Sequence, residues 1–207
     1  MTKLILWDWD NTLVDTFGAI LAAQNVMRQA YNLEPWTADD AKIAMNTSGR
    51  NLIANLVGAE NAVEARKIFL AAYEKSAAEI TLKDGAQEIM QYAKDKGYIN
   101  VLASNKAGNI LRNEVETLGM TSFFDKIVGA EDFDNDKPSK EFTDSAIQGY
   151  TPNEIYSIGD GKADISMGHN YSNGKGILVW TNPNTPEFES IKPDIAVDSL
   201  SKLKDVL

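Results

Sequence analysis

Two aspartates, Asp8 and Asp10, stand one residue apart directly after the apolar run Leu4-Ile5-Leu6-Trp7. Such a run reads as a strand buried on both faces, hence a central parallel strand. Two carboxylates crowded at its end repel, and each resists ionisation. A hard cation removes that conflict, so the pair is expected to share a metal ion. Three further polar clusters follow strand patterns. Ser104-Asn105-Lys106 comes after 98–103, and Asp136-Lys137-Pro138 comes after 126–130 and an acidic loop. Gly159-Asp160-Gly161-Lys162-Ala163-Asp164 comes after 154–158. Together they offer carboxylates for a cation, a hydroxyl and an amide for an anion, and a lysine. That set suits phosphoryl transfer, which is mostly positioning and electrostatic stabilisation. A carboxylate can attack phosphorus and form an aspartyl-phosphate. Mg²⁺ takes oxygen ligands and commonly bridges carboxylates to a phosphate, offsetting the repulsion between the two anions.

The elements that must position these groups fall into two kinds. Residues 16–32 carry Ile20, Leu21, Gln24, Met27, Arg28 and Tyr31 at helical spacing, with Pro35 as the breaker. Thr37 reads as the cap of the next helix. A polar turn over 46–51 and an Ala/Glu/Lys-rich helix over 61–78 follow, so 16–82 is expected to be all-helical. From Lys83 the rhythm changes. Helices are predicted over 86–96, closed by Gly97, over 107–118, ended by Gly119, and over 138–149, with Pro138 in the first turn. Strands are predicted over 98–103, 126–130, 154–158, 177–181 and 195–197. This alternation implies right-handed crossovers and a parallel sheet. The expected fold is α/β, a three-layer Rossmann-like core made of 1–15 and 83–207. An all-helical cap, 16–82, is inserted after the first strand. Functional groups should lie beyond the carboxyl ends of the strands.

Composition narrows the partners. The 207 residues are 43% hydrophobic and 24% charged, enough for one large domain or a domain with an insert. A net charge of −10 argues against a sequence-independent nucleic-acid binder and disfavours an anionic membrane surface. With no cysteine there is no disulfide, thiol nucleophile or thiolate metal site, which suits a reducing cytoplasm. No apolar run approaches ~18 residues and no leader pattern is present, so neither a transmembrane helix nor a signal peptide is expected.

The four clusters, in this order and at strand ends, resemble the motifs of the haloacid dehalogenase-like (HAD) hydrolase superfamily. The similar branch is that of phosphoglycolate phosphatases with a helical cap. The matching residues are Asp8-x-Asp10-x-Thr12-Leu13-Val14-Asp15, Ser104-Asn105, Lys137-Pro138 and Gly159-Asp160-x-x-x-Asp164. The resemblance implies that Asp8 is nucleophile and Mg²⁺ ligand. It makes Asp10 the general acid and then base, with its backbone carbonyl on the metal. Ser104 and the amide of Asn105 would hold phosphoryl oxygens, and Lys137 would neutralise nucleophile and phosphate. Asp160 would ligate the metal, and Asp164 would support it or position Lys137. Thr12 would brace the turn below Asp10 within the phosphate-binding set. The dehalogenases of the superfamily lack a second carboxylate at Asp10's place, so phosphoryl transfer is implied. Asn11 stands where the branch usually has Gly, and Asn tolerates left-handed backbone. Trp9 is larger than the usual residue and is expected to crowd or shape the entrance. The segment around Met167, His169, Asn170 and Tyr171 is more polar than the family's pattern.

Other residues have blander readings. Asp15 should open the first cap helix, Ser104 could also cap the helix after it, Trp36 should be cap core, and His169 should serve surface or packing. Glu131, Asp132, Asp134 and Asp136 read as a solvated loop. Arg50, after the flexible turn Thr47-Ser48-Gly49, could pair with a substrate carboxylate or second phosphate, or be an ordinary exposed arginine. The leading function is a Mg²⁺-dependent, cytoplasmic phosphatase of a small phosphorylated metabolite, monomer or homodimer. Its rivals are a sugar-phosphate mutase similar to β-phosphoglucomutase and a catalytically silent binding module. A phosphonate hydrolase would need a cap lysine such as Lys42.

Overall fold

A computed structural model describes residues 1–44 and 49–207, with only the backbone for Ile43 and 49–51. The chain divides into two compact units, Met1–Val14 with Leu82–Leu207, and Asp15–Thr81. Among the described residues, no helix is long and apolar enough to cross a membrane.

In the first unit, β1 (Lys3–Trp7) runs through the middle of a six-stranded parallel sheet. Its neighbours are β4 (Ile99–Ala107) and β6 (Glu154–Gly159). Outside β4 lies β5 (Lys126–Ala130); outside β6 lie β7 (Gly174–Val179) and β8 (Ile195–Val197). Leu4 to Trp7 are all fully buried, as a strand covered on both faces requires. Leu4 and Leu6 pack with Val101, Val128 and Ile155. Phe142 of α7 (Lys140–Ile147) and Met167 of α8 (Lys162–His169) cover that face. The sheet's other helices are α5 (Ala86–Asp95), packed on β4, and α6 (Gly108–Thr117), packed on β4 and β5. Gly97 and Gly119 follow α5 and α6 with φ of 70° and 69°, the left-handed turn expected of them.

Several boundaries differ from the sequence expectation, among them β7, which runs Gly174–Val179 and not 177–181, and two near the strand-end clusters. β4 continues past Ala103 to Ala107; its ladder with β5 shifts register between Ala103 and Ala107, which places Ser104-Asn105-Lys106 on an irregular stretch of strand. Ser104 therefore does not cap α6, whose N-cap is Ala107. Pro138 lies outside α7, after a cis bond from Lys137. Ser139 is the cap, its hydroxyl accepting from the Phe142 amide at 3.1 Å.

The second unit carries α1 (Phe17–Ala30), α2 (Ala38–Ala44), α3 (Gly49–Val57) and α4 (Ala62–Ser76). Met27, Ile53 and Ala65 form its buried centre, with Tyr31, Leu56, Ile68 and Phe69 around them. Thr37 and Asp40 bond reciprocally at the start of α2, a capping box. Pro35 is not what ends α1. Asn32 does so in the left-handed region, φ 53°, while Leu33 N donates to Arg28 O at 2.9 Å. Trp36 is half-buried rather than core. The Arg28 guanidinium lies 4.6 Å from its ring, and the Asn25 side chain grips its backbone from both sides. Asp15 is exposed and does not open α1, whose N-cap is Thr16. Nor is the far end of the expected helical stretch 16–82 helical: Thr81–Leu82 (β3) pairs with Val14–Asp15 (β2).

Candidate active site

The register of the sheet decides what meets what. Trp7 is level with Leu102 of β4 on one side and Ile158 of β6 on the other. The residues that follow, Asp8, Ser104 and Asp160, therefore leave three adjacent strands at nearly one height. The Asp8 amide donates to Ile158 O at 2.9 Å. The turn after it folds around one carbonyl, that of Trp9, which accepts from the Leu13 and Val14 amides, each at 3.1 Å. Asn11 takes φ 61° there, as its side chain allows.

Both oxygens of Asp8 are held. Oδ1 contacts the Lys137 ammonium, and Oδ2 accepts from the Thr12 hydroxyl at 2.8 Å. Lys137 Nζ also donates to Asp164 Oδ1 at 2.7 Å and to Ala103 O at 3.1 Å. Asp164 Oδ2 accepts from the Gly161 amide at 3.1 Å. Gly159 makes room for that carboxyl, because a Cβ there would lie 2.0 Å from Asp164 Cγ. Asn105 holds Lys137 by the backbone. Its Nδ2 donates to Lys137 O and its Oδ1 accepts from Lys137 N, both at 3.0 Å. Ser104 is buried, and its Oγ accepts from the Lys106 amide at 3.1 Å, which leaves the hydroxyl hydrogen to donate. Thr12, expected among the phosphate-binding residues, is fully buried. Its hydroxyl is given to Asp8 Oδ2.

Asp8, Asp160 and Asp164 each place a carboxylate oxygen within 4.8 Å of the others. Burial pushes the Asp8 carboxyl up to about 7; Lys137 pulls against this, and Asp164 and Asp10 add to it. Burial, then Asp8 and Asp164, also holds the Asp160 carboxyl well above its usual range. Burial lowers the Lys137 ammonium, but Asp164 and Asp8 outweigh it and keep the group above its ordinary value. Three carboxylates face one ammonium here. Fully ionised, they leave two negative charges over, which a divalent oxygen-seeking cation would balance. The donor set therefore fits Mg²⁺.

The Asp10 carboxylate lies outside that trio. Its Oδ1 sits 2.7 Å from Lys106 Nζ. The same ammonium is 2.7 Å from Glu114 Oε2, which also accepts from Trp9 Nε1 at 2.8 Å. Trp9 is fully buried and stands edge-on to Phe124. It does not shape an entrance: its indole is drawn inward by a buried carboxylate. Lys106 stood in one of the strand-end clusters without a role of its own, and Glu114 was missing from the sequence expectation for the site. The available signal was a charge at Glu114 on the inward stripe Leu111-Val115 of α6.

The remaining residues lie elsewhere. The side chain of Arg50 and its turn at 47–49 fall outside the described residues or side chains. Lys42 is exposed on α2, 3.8 Å from Asp39. His169 pairs with Asp194 at 2.9 Å near the surface. Asp132 is not merely solvated, since it forms a two-pronged pair with Arg112 at 2.8 and 3.0 Å.

The sequence profile of the haloacid dehalogenase-like hydrolases matches residues 5–173. A phosphoglycolate phosphatase from Aquifex aeolicus is 25% identical over 98% of this chain and 97% of its own. The pyrophosphatase PpaX of Bacillus cereus is 30% identical over 58% of this chain and 56% of its own. A haloacid dehalogenase-like hydrolase from Streptococcus pneumoniae superposes with a TM-score of 0.82 at 19% identity, over 100% of this chain and 98% of that one. Protein Tyrosine Kinase A of Mycobacterium tuberculosis gives 0.81 at 20%, over 98% and 96%. At such identities the structural likeness speaks to fold alone, and the fold does not choose the reaction.

Proposed function

The chain belongs to the haloacid dehalogenase-like hydrolases, and from that premise we propose a Mg²⁺-dependent phosphatase that hydrolyses a small phosphorylated metabolite through an aspartyl-phosphate on Asp8. The observation that carries this reading is the grip on Asp8: Lys137 on one oxygen, Thr12 on the other, with Asp160 and Asp164 beside it. Relatives named as phosphoglycolate phosphatase and pyrophosphatase act on phosphorylated compounds, which supports the substrate class.

In this reading Asp8 attacks phosphorus in line with the leaving oxygen. The ester P–O bond breaks, and the leaving oxygen takes a proton from Asp10. Water then attacks the phosphorus, Asp10 takes its proton, and the bond to Asp8 breaks to release inorganic phosphate. Lys137 neutralises the nucleophile and the incoming phosphate, while Ser104 and the Asn105 amide hold phosphoryl oxygens. Asp8, Asp160, Asp164 and the Asp10 carbonyl would hold Mg²⁺. When bound, it would supply the positive charge that lets two anions meet. We assign the helical unit Asp15–Thr81 the part of a cap.

Purified chain with Mg²⁺ should release phosphate from a generic aryl phosphate, and Asp8→Asn should abolish the release. No release from that ester or from a panel of phosphorylated metabolites overturns the reading. Isomerisation of a sugar phosphate without phosphate release would select a mutase instead.

A further inference from the structure

Lys106 and Glu114 form a buried ion pair, 7% and 5% exposed, against the turn that carries Asp10. Burying such a pair costs desolvation on both sides, and an apolar pair of similar size would serve stability as well or better. The pair has a third member. Lys106 Nζ reaches Asp10 Oδ1 at the same 2.7 Å as Glu114. Oδ1 itself is buried and meets the ammonium as an ion pair without hydrogen-bond geometry, while the Asp10 side chain as a whole is 20% exposed. The exposed part of Asp10 is therefore not the oxygen that Lys106 holds.

Glu114 is fixed in turn. It projects from the inward stripe of α6, and the Trp9 indole donates to it at 2.8 Å. Trp9 is fully buried, so the donor has nowhere else to go. The Trp9 carbonyl also gathers the amides of Leu13 and Val14, tightening the loop that presents Asp10. One residue thus braces Asp10 twice, through its backbone and through its ring. Lys106 comes from the irregular stretch of β4; such irregularities re-aim side chains beside active sites.

We propose that Trp9, Glu114 and Lys106 form a positioning relay that fixes the Asp10 carboxylate for its proton transfers. Trp9 orients Glu114, Glu114 anchors the Lys106 ammonium, and Lys106 pins the buried oxygen of Asp10. The exposed side of that carboxylate is thereby aimed outward, at the leaving oxygen and then at the water. None of the three touches substrate. The relay rests on the role given to Asp10 under Proposed function.

The test uses Lys106→Met, Glu114→Gln and Trp9→Phe with two esters. One is an activated aryl phosphate, whose leaving group needs no proton. The other is an alkyl phosphate, whose leaving group does. On the aryl ester, Lys106→Met should release about one phenol per site quickly and then turn over about ten- to a hundredfold more slowly, a part of the roughly 10²–10⁴-fold that proton transfer by a placed side chain is worth, because Asp10 itself is kept. On the alkyl ester the first step should slow by a similar factor, with no burst. Glu114→Gln and Trp9→Phe keep the shape of the site and should show smaller losses of the same kind, in kcat more than KM. A purely structural role would lower the burst amplitude and leave the rate per folded site unchanged, which overturns the relay. So do unchanged rates in Glu114→Gln and Trp9→Phe if Lys106→Met fails to fold. A wild-type chain inactive on both esters overturns the phosphatase reading, and the relay falls with it. An active wild type with unaffected variants sinks the relay alone.

Discussion

At the scale of single residues, space counts as much as charge. Gly159 has a carboxyl group where its side chain would be: a Cβ would meet Asp164 Cγ at 2.0 Å. Gly159→Ala must therefore displace Asp164 from Lys137 or shift the strand end. A destabilisation of about 1–3 kcal/mol is expected, the usual cost of overpacking. Urea unfolding of the variant measures it, and an unchanged midpoint would refute the packing argument. The meeting of Asp8 with Asp160 and Asp164 was legible in the sequence because each follows a strand that the alternating pattern places in one parallel sheet; that the Asp10 carboxylate turns away to Lys106 was not. Nor were Trp9 and Thr12. Their roles are set by partners that local spacing does not display: Glu114 lies 105 residues from Trp9, and Thr12 is held by complete burial.

At the scale of elements, the loop after β5 is closed by a fork. Arg112 of α6 grips Asp132 with two hydrogen bonds, and Asp132 Oδ2 also accepts from Gly129 N at 2.8 Å. The Arg112 bonds hold the Asp132 carboxyl below its usual value, against partial burial that raises it, with help from the Gly129 amide. A carboxyl lowered by folding stabilises the native state above its unfolded pKa, and that contribution is lost as pH falls through the folded value. The difference in urea midpoint between wild type and Asp132→Asn should thus be constant above about pH 5 and shrink in acid, given an unfolded value near 4. A difference that grew in acid would contradict the sign. The gap should be modest, since Arg112 is half exposed and water screens the pair. Helix ends marked by glycine were readable, as at Gly97 and Gly119. The end of α1 was not, because Asn32 takes the left-handed turn three residues before the proline that looked responsible. The continuation of β4 through Ser104-Asn105-Lys106 was also hidden, since polar residues earn a strand only from the neighbouring ladder.

At the scale of the molecule, the negative charge of −10 is partly concentrated in one carboxylate cluster. A ligand that binds only the folded state stabilises it by RT ln(1 + [L]/Kd), about 2.7 kcal/mol at a hundred times Kd. Mg²⁺ should therefore raise the melting temperature of the wild type in a concentration-dependent way. Asp160→Asn should abolish most of that rise; a shift that survives the substitution would place the cation elsewhere. The alternation of strands and helices made the parallel architecture legible. The strand order β5-β4-β1-β6-β7-β8 was not, because no local pattern says which edge a returning strand will join. The pairing of Val14–Asp15 with Thr81–Leu82 has one more consequence. The chain departs and returns through neighbouring strands, so the two ends of the insert are already side by side. Lengthening such an excursion adds closure entropy only logarithmically. A graft of a different helical module onto the same two ends should leave the sheet and its carboxylates standing, making this junction a natural socket for recombination.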